Sequence, residues 1–522
     1  MPEDKKISKT DVKKSSNLKS TSVVGSCTML SRILGLVRDI VIAHFIGASA
    51  SADAFFVAFK IPNFMRRLFA EGAFAQAFVP VLSEYQGKRD QAAIRSLIDH
   101  VSGTLGLTLV MLTAVGMIAA PLLAMLFAPG FVQFEDKMAL TSDLLRLTFP
   151  YLLLISLTAF AGSVLNSYGR FAVPAFTPVL LNLSLIGCAL LMAPMLDNPV
   201  MALGWGVLIA GTVQLLFQLP FLARLHLLPR PRVDRKHEGV RQIIKLMIPA
   251  LFGVSVSQIN LLLDTVLASF LQTGSVSWLY YSDRLVELPL GIFGIAIATV
   301  ILPSLSRQHV SDSLEQFRGT LDWALKLVCL LALPAALALF VLAEPLIMTL
   351  FQYGAMTAND VTMAAMSLRA YSVGLLAFML IKVLAPGYYS RQDTKTPVKI
   401  GMWAMAANMV LNLILIWPLQ HAGLALATSL SAFLNAGLLF AGLYRMGIYR
   451  PHAGWGALGL RLLVANAAMV LVLLWLGSIA DSWLEWSVWQ RAWQLGILCV
   501  AGASVYFVTL VVCGLRPRHL RH

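Results

Sequence analysis

Charged side chains recur inside stretches of the sequence that are otherwise apolar. Each stretch is long enough to cross a bilayer, where insertion scales put the cost of a central arginine at about 2.5–3.5 kcal/mol. The charges fall in the first, second and eighth stretches: Arg32, Arg38 and Asp39; Asp53, Lys60, Arg66 and Arg67, with Glu71 just beyond; and Asp283, Arg284 and Glu287. Heptad spacing places several of them on shared helix faces. We expect these faces to line a wet cavity rather than to touch lipid.

The predicted cavity is cationic. Arg38, Arg66 and Arg284 occupy the starts of corresponding halves of the chain, a placement that allows three guanidiniums to converge. The excess of cations favours an anionic ligand, and arginine suits bidentate contacts to phosphate. In the alternative interpretation the acids pair internally and fix helix packing: Asp39, Asp53, Glu71, Asp283 and Glu287. The residue types alone leave both interpretations open.

The composition identifies the class of protein. Of 522 residues, 58% are hydrophobic and 13% are charged, against roughly 25% charged in a soluble domain. Soluble, disordered, collagen-like and disulfide-scaffold classes are therefore excluded. The formal net charge is +14, but the basic residues lie between apolar segments and not on one face of a soluble domain, so we expect no nucleic-acid partner. The chain is predicted to be an all-α polytopic membrane protein.

Apolar windows of about 20 residues predict fourteen transmembrane helices. They cover residues 22–46, 51–70, 96–127, 142–166, 174–194, 201–224, 242–271, 277–304, 321–352, 362–388, 397–418, 423–445, 456–478 and 489–515. Lysine and arginine are frequent in alternate connections and rare in the others. By the positive-inside rule, this alternation predicts that both termini are cytoplasmic.

The chain contains an internal repeat at an offset of about 220 residues. Phe78–Ser83 reads like Ile301–Ser306, and the Tyr-x-Arg turn at Tyr168 reads like the one at Tyr389. Because each half holds an even number of spans, the repeat is parallel. The predicted organisation is a basic cytoplasmic tail, an N-lobe, a cytoplasmic linker, a C-lobe, a C-terminal helix pair outside the repeat and a second tail: 1–21, 22–225, 226–241, 242–445, 456–515 and 516–522.

Several motifs carry a resemblance to a known family. They include SRILGLVRD at 31–39, DAFFVAFK at 53–60, QAFVP at 76–80, DRL at 283–285 and KVLAPGYYSRQD at 382–393. Over roughly residues 17–515 the chain resembles the MurJ (MviN) family of lipid II flippases, in the multidrug/oligosaccharidyl-lipid/polysaccharide (MOP) exporter superfamily. The resemblance implies a fourteen-helix transporter, not an enzyme, in the bacterial cytoplasmic (inner) membrane. Its activity would be to move undecaprenyl-diphosphate-linked disaccharide-peptide from the cytoplasmic to the outer leaflet by alternating access, for cell-wall synthesis.

The resemblance also implies roles for individual residues. Arg32, Arg38, Arg66 and Arg284 would bind the diphosphate, and Asp39 and Asp53 would pair with them or gate the outer side. The helices within 456–515 would form a groove for the lipid tail. The expected partners are lipid II, membrane lipids and the cell-wall synthesis machinery.

A sodium site is a further hypothesis, and no other cofactor is expected. Asp264 is an isolated carboxylate in the seventh span, Asn408 and Asn412 share a face of the eleventh, and Thr428 in the twelfth offers a hydroxyl. Such oxygen ligands suit a hard cation, but hydrogen bonding between the helices accounts for the same residues. Some members of the resembled family have a second acid where Asn412 stands.

Two other functions are weighed against lipid II flipping. Another exporter of the MOP superfamily would move drugs or polysaccharide-linked lipids; a cavity for cationic drugs would need acids, whereas this one is basic. An enzyme acting on lipid diphosphates would need catalytic spacing, and the sequence contains neither H-E-x-x-H nor a Ser/His/Asp arrangement.

Overall fold

The computed structural model describes residues 9–234, 236–294, 301, 304–305, 314–452, 454–478, 483 and 485–515. Within these residues the chain is all-helical and contains no strand. The first ten α-helices are α1 Lys9–Ile46, α2 Ala50–Arg66, α3 Ala75–Lys88, α4 Gln91–Ile118, α5 Ala120–Phe127, α6 Glu135–Thr148, α7 Tyr151–Ser167, α8 Ala172–Leu191, α9 Val200–Arg224 and α10 Glu238–Ser269. The other seven are α11 Ser275–Pro289, α12 Leu314–Val341, α13 Ala343–Phe351, α14 Ala358–Tyr389, α15 Lys395–Arg445, α16 Trp455–Ser478 and α17 Val488–Val512.

These helices confirm the polytopic membrane class. In the described part of the chain, nine helical segments are long and apolar enough to cross a membrane. One of them, α15, joins the predicted eleventh and twelfth spans, so the nine segments account for ten predicted spans. The other four predicted spans correspond to α1, α2, α10 and α11. Most of the charges singled out above lie on α1, α2 and α11, which makes those helices less apolar.

A sharp reversal inside α15 separates its two predicted spans. Gln420 has φ 50° and ψ −127°, outside helical geometry, two residues after Pro418. Gly423 then packs directly against the carbonyl of Leu415, where a Cβ would clash. Only glycine has room at this close approach, so the sequence Pro-Leu-Gln-His-Ala-Gly turns the chain back without a loop.

Matching interruptions support the predicted repeat. A π-helix, π1 (Arg67–Phe74), follows α2, and a second, π2 (Leu290–Gly294), follows α11. The α4–α5 break at Ala119 corresponds to the α12–α13 break at Leu342. The turns after α7 and α14 both contain a left-handed residue, Gly169 and Gln392. All three pairs fall near the offset that the motifs give, about 220 residues.

The chain divides by packing into two compact units, Met1–Phe270 (unit 1) and Leu271–His522 (unit 2). Helix α10, predicted as the first helix of the C-lobe, belongs to unit 1, where it packs on π1, α3 and α4. The boundary between the two packing units therefore lies one helix later in the chain than the boundary between the two predicted repeats.

The connection between α9 and α10 is attached to unit 1 through Asp99. The carboxylate of Asp99 accepts the backbone N–H of Arg230 at 2.7 Å, and its carbonyl accepts that of Arg232 at 3.0 Å. The intervening proline has no N–H, so both backbone donors of this stretch are bonded. His237 stacks on His100 with ring centroids 4.6 Å apart, and burial lowers the pKa of His237, which favours its neutral form. The predicted linker is thus bound to unit 1 at Arg230, Arg232 and His237.

Candidate functional site

Arg38 is held inside unit 1 by two partners. Its Nε and Nη2 donate to Oδ1 of Asp39 at 2.9 and 2.6 Å, and its Nη1 donates to Oδ1 of Asn182 at 3.1 Å. Asn182 lies on α8, the helix along which α1 packs, and its amide donates to the carbonyl of Ser31. Arg38 and Asp39 are both buried. This geometry favours the internal ion pair that the sequence left open.

Asn182 is a partner that the sequence reasoning missed. It is the only side-chain amide in a mostly apolar helix, and a buried amide in a bilayer needs hydrogen-bond partners. That signal is present in the sequence, but it does not identify which helix supplies the partners.

Arg66 is more accessible than Arg38. It is the last residue of α2, half-buried, and its Nε donates to Oδ1 of Asn63 at 2.8 Å, one turn earlier. Arg32 and Lys60 are also half-buried. The backbone of Glu71 belongs to π1, and its side chain lies outside the described residues.

Asp53 pairs with Lys137, a residue that was not among the predicted site residues. Lys137 Nζ donates to Asp53 Oδ2 at 2.9 Å, and the two side chains are 5% and 1% exposed. Ser49 caps α2 by accepting the N–H of Ala52, which places Asp53 in the first turn of the helix, where a carboxylate is favourable. Lys137 follows two acids and is 84 residues from Asp53 in the chain, so its neighbours in the sequence do not identify this partner.

Unit 2 carries the third predicted arginine. Arg284 Nη1 donates to Oε2 of Glu287 at 3.0 Å, one turn later on α11. The Arg284 side chain is 30% exposed, and Asp283 beside it is exposed. Arg284 therefore resembles Arg66 in being partly exposed and in bonding to a residue one turn away on its own helix.

In the described part of the chain, Arg38 pairs with Asp39, Asp53 with the unpredicted Lys137, and Arg284 with Glu287. The convergence of Arg38, Arg66 and Arg284 on one ligand stays a prediction. A partly exposed guanidinium can exchange one carboxylate or amide contact for a phosphate, whereas Arg38 would have to leave a buried carboxylate. Arg66 and Arg284 are thus better placed for a transient anion than Arg38.

Three of the four residues of the sodium hypothesis lie together in unit 2. Asn408 Nδ2 donates to Thr428 Oγ1 at 3.4 Å, and Asn412 Nδ2 donates to Asn408 Oδ1 at 3.0 Å. Ser431 joins this cluster and was not predicted. Asp264 lies on α10 in unit 1. The cluster offers the amide and hydroxyl oxygens that a hard cation prefers, and the contacts of Asn408 with Thr428 and Ser431 join the two arms of α15.

The sequence matches a family model described as "Lipid II flippase MurJ" over residues 42–494. A Vibrio cholerae protein named probable lipid II flippase MurJ is 52% identical over 511 residues, covering 97% of each chain. The lipid II flippase MurJ of Burkholderia cenocepacia is 42% identical over 507 residues, covering 95% of this chain and 98% of that one. The similarity thus extends over nearly the whole sequence.

Solved structures show the same similarity in fold. A lipid II flippase MurJ in an inward closed conformation matches with a TM-score of 0.80 at 27% identity, covering 94% of this chain and 98% of that one. An inward-facing MATE multidrug transporter of the MOP superfamily matches with a TM-score of 0.68 at 14% identity, covering 82% and 97%. The second similarity shows the fold alone.

The Arg38–Asp39 pair can be tested by stability. Arg38→Ala should destabilise the folded protein by about 3–5 kcal/mol because it leaves a buried carboxylate without its partner. Adding Asp39→Asn should restore much of that loss, since the buried charge is then gone. The measurement is thermal unfolding in detergent, with Arg146→Ala as the control, because its partner Asp143 is exposed. An Arg38→Ala variant as stable as the parent protein would contradict the pairing and favour a ligand-binding role.

Proposed function

The chain belongs to the MurJ family of lipid II flippases, and we propose that Arg66 and Arg284 hold the diphosphate of lipid II during transport, with Arg32 close by. The protein is a multi-pass transporter of the inner membrane and not an enzyme. It moves lipid II, the undecaprenyl-diphosphate-linked disaccharide-peptide, from the cytoplasmic to the outer leaflet by alternating access for peptidoglycan synthesis. Arg38 contributes only if the Arg38–Asp39 pair opens.

One observation carries the assignment of the arginines. Arg66 ends α2 directly before π1, and Arg284 lies in the last turns of α11 before π2. A π-helix interrupts the regular i to i−4 hydrogen bonds and is often found at functional sites. Each half therefore presents an accessible guanidinium within six residues of the same kind of helix interruption, and unit 1 adds the exposed Arg67 inside π1. The guanidinium of arginine also has two parallel N–H donors, which can form hydrogen bonds with two oxygens of a diphosphate.

Membrane electrostatics favour the proposed direction. Moving charge across the membrane is worth about 2.3 kcal/mol per elementary charge per 100 mV. An anionic diphosphate that leaves a negative cytoplasm therefore gains free energy from the potential. The proposal also places both termini in the cytoplasm, which is supported by the alternation of basic connections. Contact with the cell-wall synthesis machinery stays a prediction.

Substitution of the two arginines tests the diphosphate assignment. We expect Arg66→Ala and Arg284→Ala each to abolish transport while the protein stays folded, because both side chains are partly exposed and would bind the diphosphate only transiently. Lysine at either position should keep partial activity, since a point charge retains attraction but loses the two-pronged contact. The measurement is transfer of fluorescent lipid II across proteoliposome membranes, with thermal unfolding as the check on folding.

A matched control separates a specific role from a general loss of positive charge. Arg146→Ala removes an arginine that pairs with an exposed acid on α6, and it should transport at the parental rate. Full transport by the Arg66→Ala and Arg284→Ala variants would refute the assignment.

We also propose that sodium binds with Asp264, Asn408, Asn412 and Thr428 as ligands. The support is the oxygen cluster around Asn408, to which Asp264 would add the carboxylate. Replacing sodium by potassium, or Asp264 by Asn, should then slow transport to a similar extent, and the two changes together should have no additional effect. Transport that is unchanged by either would eliminate the site.

A further inference from the structure

We propose that Lys137 is a positioning residue for transport: it joins the amino-terminal end of α2 to α6 and, through the short 3-10 helix Pro129–Gln133, to the carboxyl-terminal end of α10. The effect on transport rests on the proposed function above. Lys137 would not touch the cargo. It would set the position of α2, the helix that ends in Arg66.

The first link is the buried ion pair. Lys137 Nζ is 2.9 Å from Asp53 Oδ2 and 4.0 Å from the ring centroid of Phe131, which is itself buried. The ammonium thus has a carboxylate and an aromatic face as partners in a site almost closed to solvent. Because either charge alone would be strongly unfavourable there, the two helices stay together while the pair exists.

The second link runs from Phe131 to α10. The backbone N–H of Gly130 donates to Ser269 Oγ at 3.0 Å, and Ser269 is buried. A Cβ on residue 130 would overlap the backbone of Ser269 and Phe270, so only glycine permits this approach. Phe270 is the last residue of unit 1. The contacts therefore continue from α2 to the point where the chain leaves the unit.

Further contacts join the same helices. Thr148 Oγ1, at the end of α6, donates to the carbonyl of Ala58 in α2 at 3.3 Å. At the other end of α2, π1 packs directly on α10. Helix α2 and π1 are consequently connected to α10 at both ends, once directly and once through Lys137. We infer that α2, α6 and α10 move together, and that loss of the Lys137 charge lets α2 move separately.

The test separates the maximum rate of transport from the binding of lipid II. Lys137→Met should lower the maximum rate of fluorescent lipid II transfer in proteoliposomes by about tenfold, which corresponds to about 1.4 kcal/mol. This lies within the range of interaction free energies between residues in contact. The lipid II concentration at half-maximal rate should change much less than the maximum rate, because Arg66 and Arg284 themselves are kept. Lys137→Arg should retain transport because it keeps the cation. Lys88→Met is the matched control, since its partner Glu84 is exposed.

Two further variants decide the matter if Lys137→Met does not fold. Exchanging the charges, with Asp53→Lys and Lys137→Asp in one chain, should transport better than either single reversal, as expected for a pair. Gly130→Ala leaves both charges in place and should lower the maximum rate by breaking the contact with Ser269. Parental transport by Lys137→Met or Gly130→Ala would overturn the proposal. If the parent protein itself fails to transfer lipid II, the proposed function fails instead.

Discussion

A charge inside an apolar helix must have a partner, and this constraint governs the structure around the candidate site. Arg38 is satisfied by Asp39 and Asn182, and Asp53 by Lys137, all in nearly solvent-free surroundings. The Arg38–Asn182 hydrogen bond joins α1 to α8, and the Asp53–Lys137 ion pair joins α2 to α6. The partners of the buried charges therefore also join neighbouring helices.

The same constraint separates two roles for arginine. Arg38 is buried against a carboxylate, so its removal should lower the stability of the folded protein. Arg66 and Arg284 are partly exposed, and each is bonded to a residue one turn away on its own helix. Their removal should therefore weaken the binding of lipid II. A flippase needs both kinds of residue, because the cavity must be built from stable helices and must still release its anionic cargo.

Much of the fold could be predicted from the sequence because the relevant signals are local. Apolar length predicts the helices, and the Tyr168 and Tyr389 turns predict the repeat, which the matched π-helices support. The partners of the charges could not be predicted in the same way. Lys137 is far from Asp53 in the chain and follows two acids, and Asn182 lies alone in α8. Their pairing depends on which helices are neighbours, and an amphipathic pattern does not specify that.

The most direct test of the account is the distribution of lipid II between leaflets in cells depleted of this protein. Leaflet-resolved labelling should show lipid II accumulating in the cytoplasmic leaflet, with outer-leaflet lipid II restored by the parent chain and not by a chain carrying Arg66→Ala and Arg284→Ala. An unchanged outer-leaflet fraction after depletion would contradict the central claim that this chain carries lipid II across the membrane.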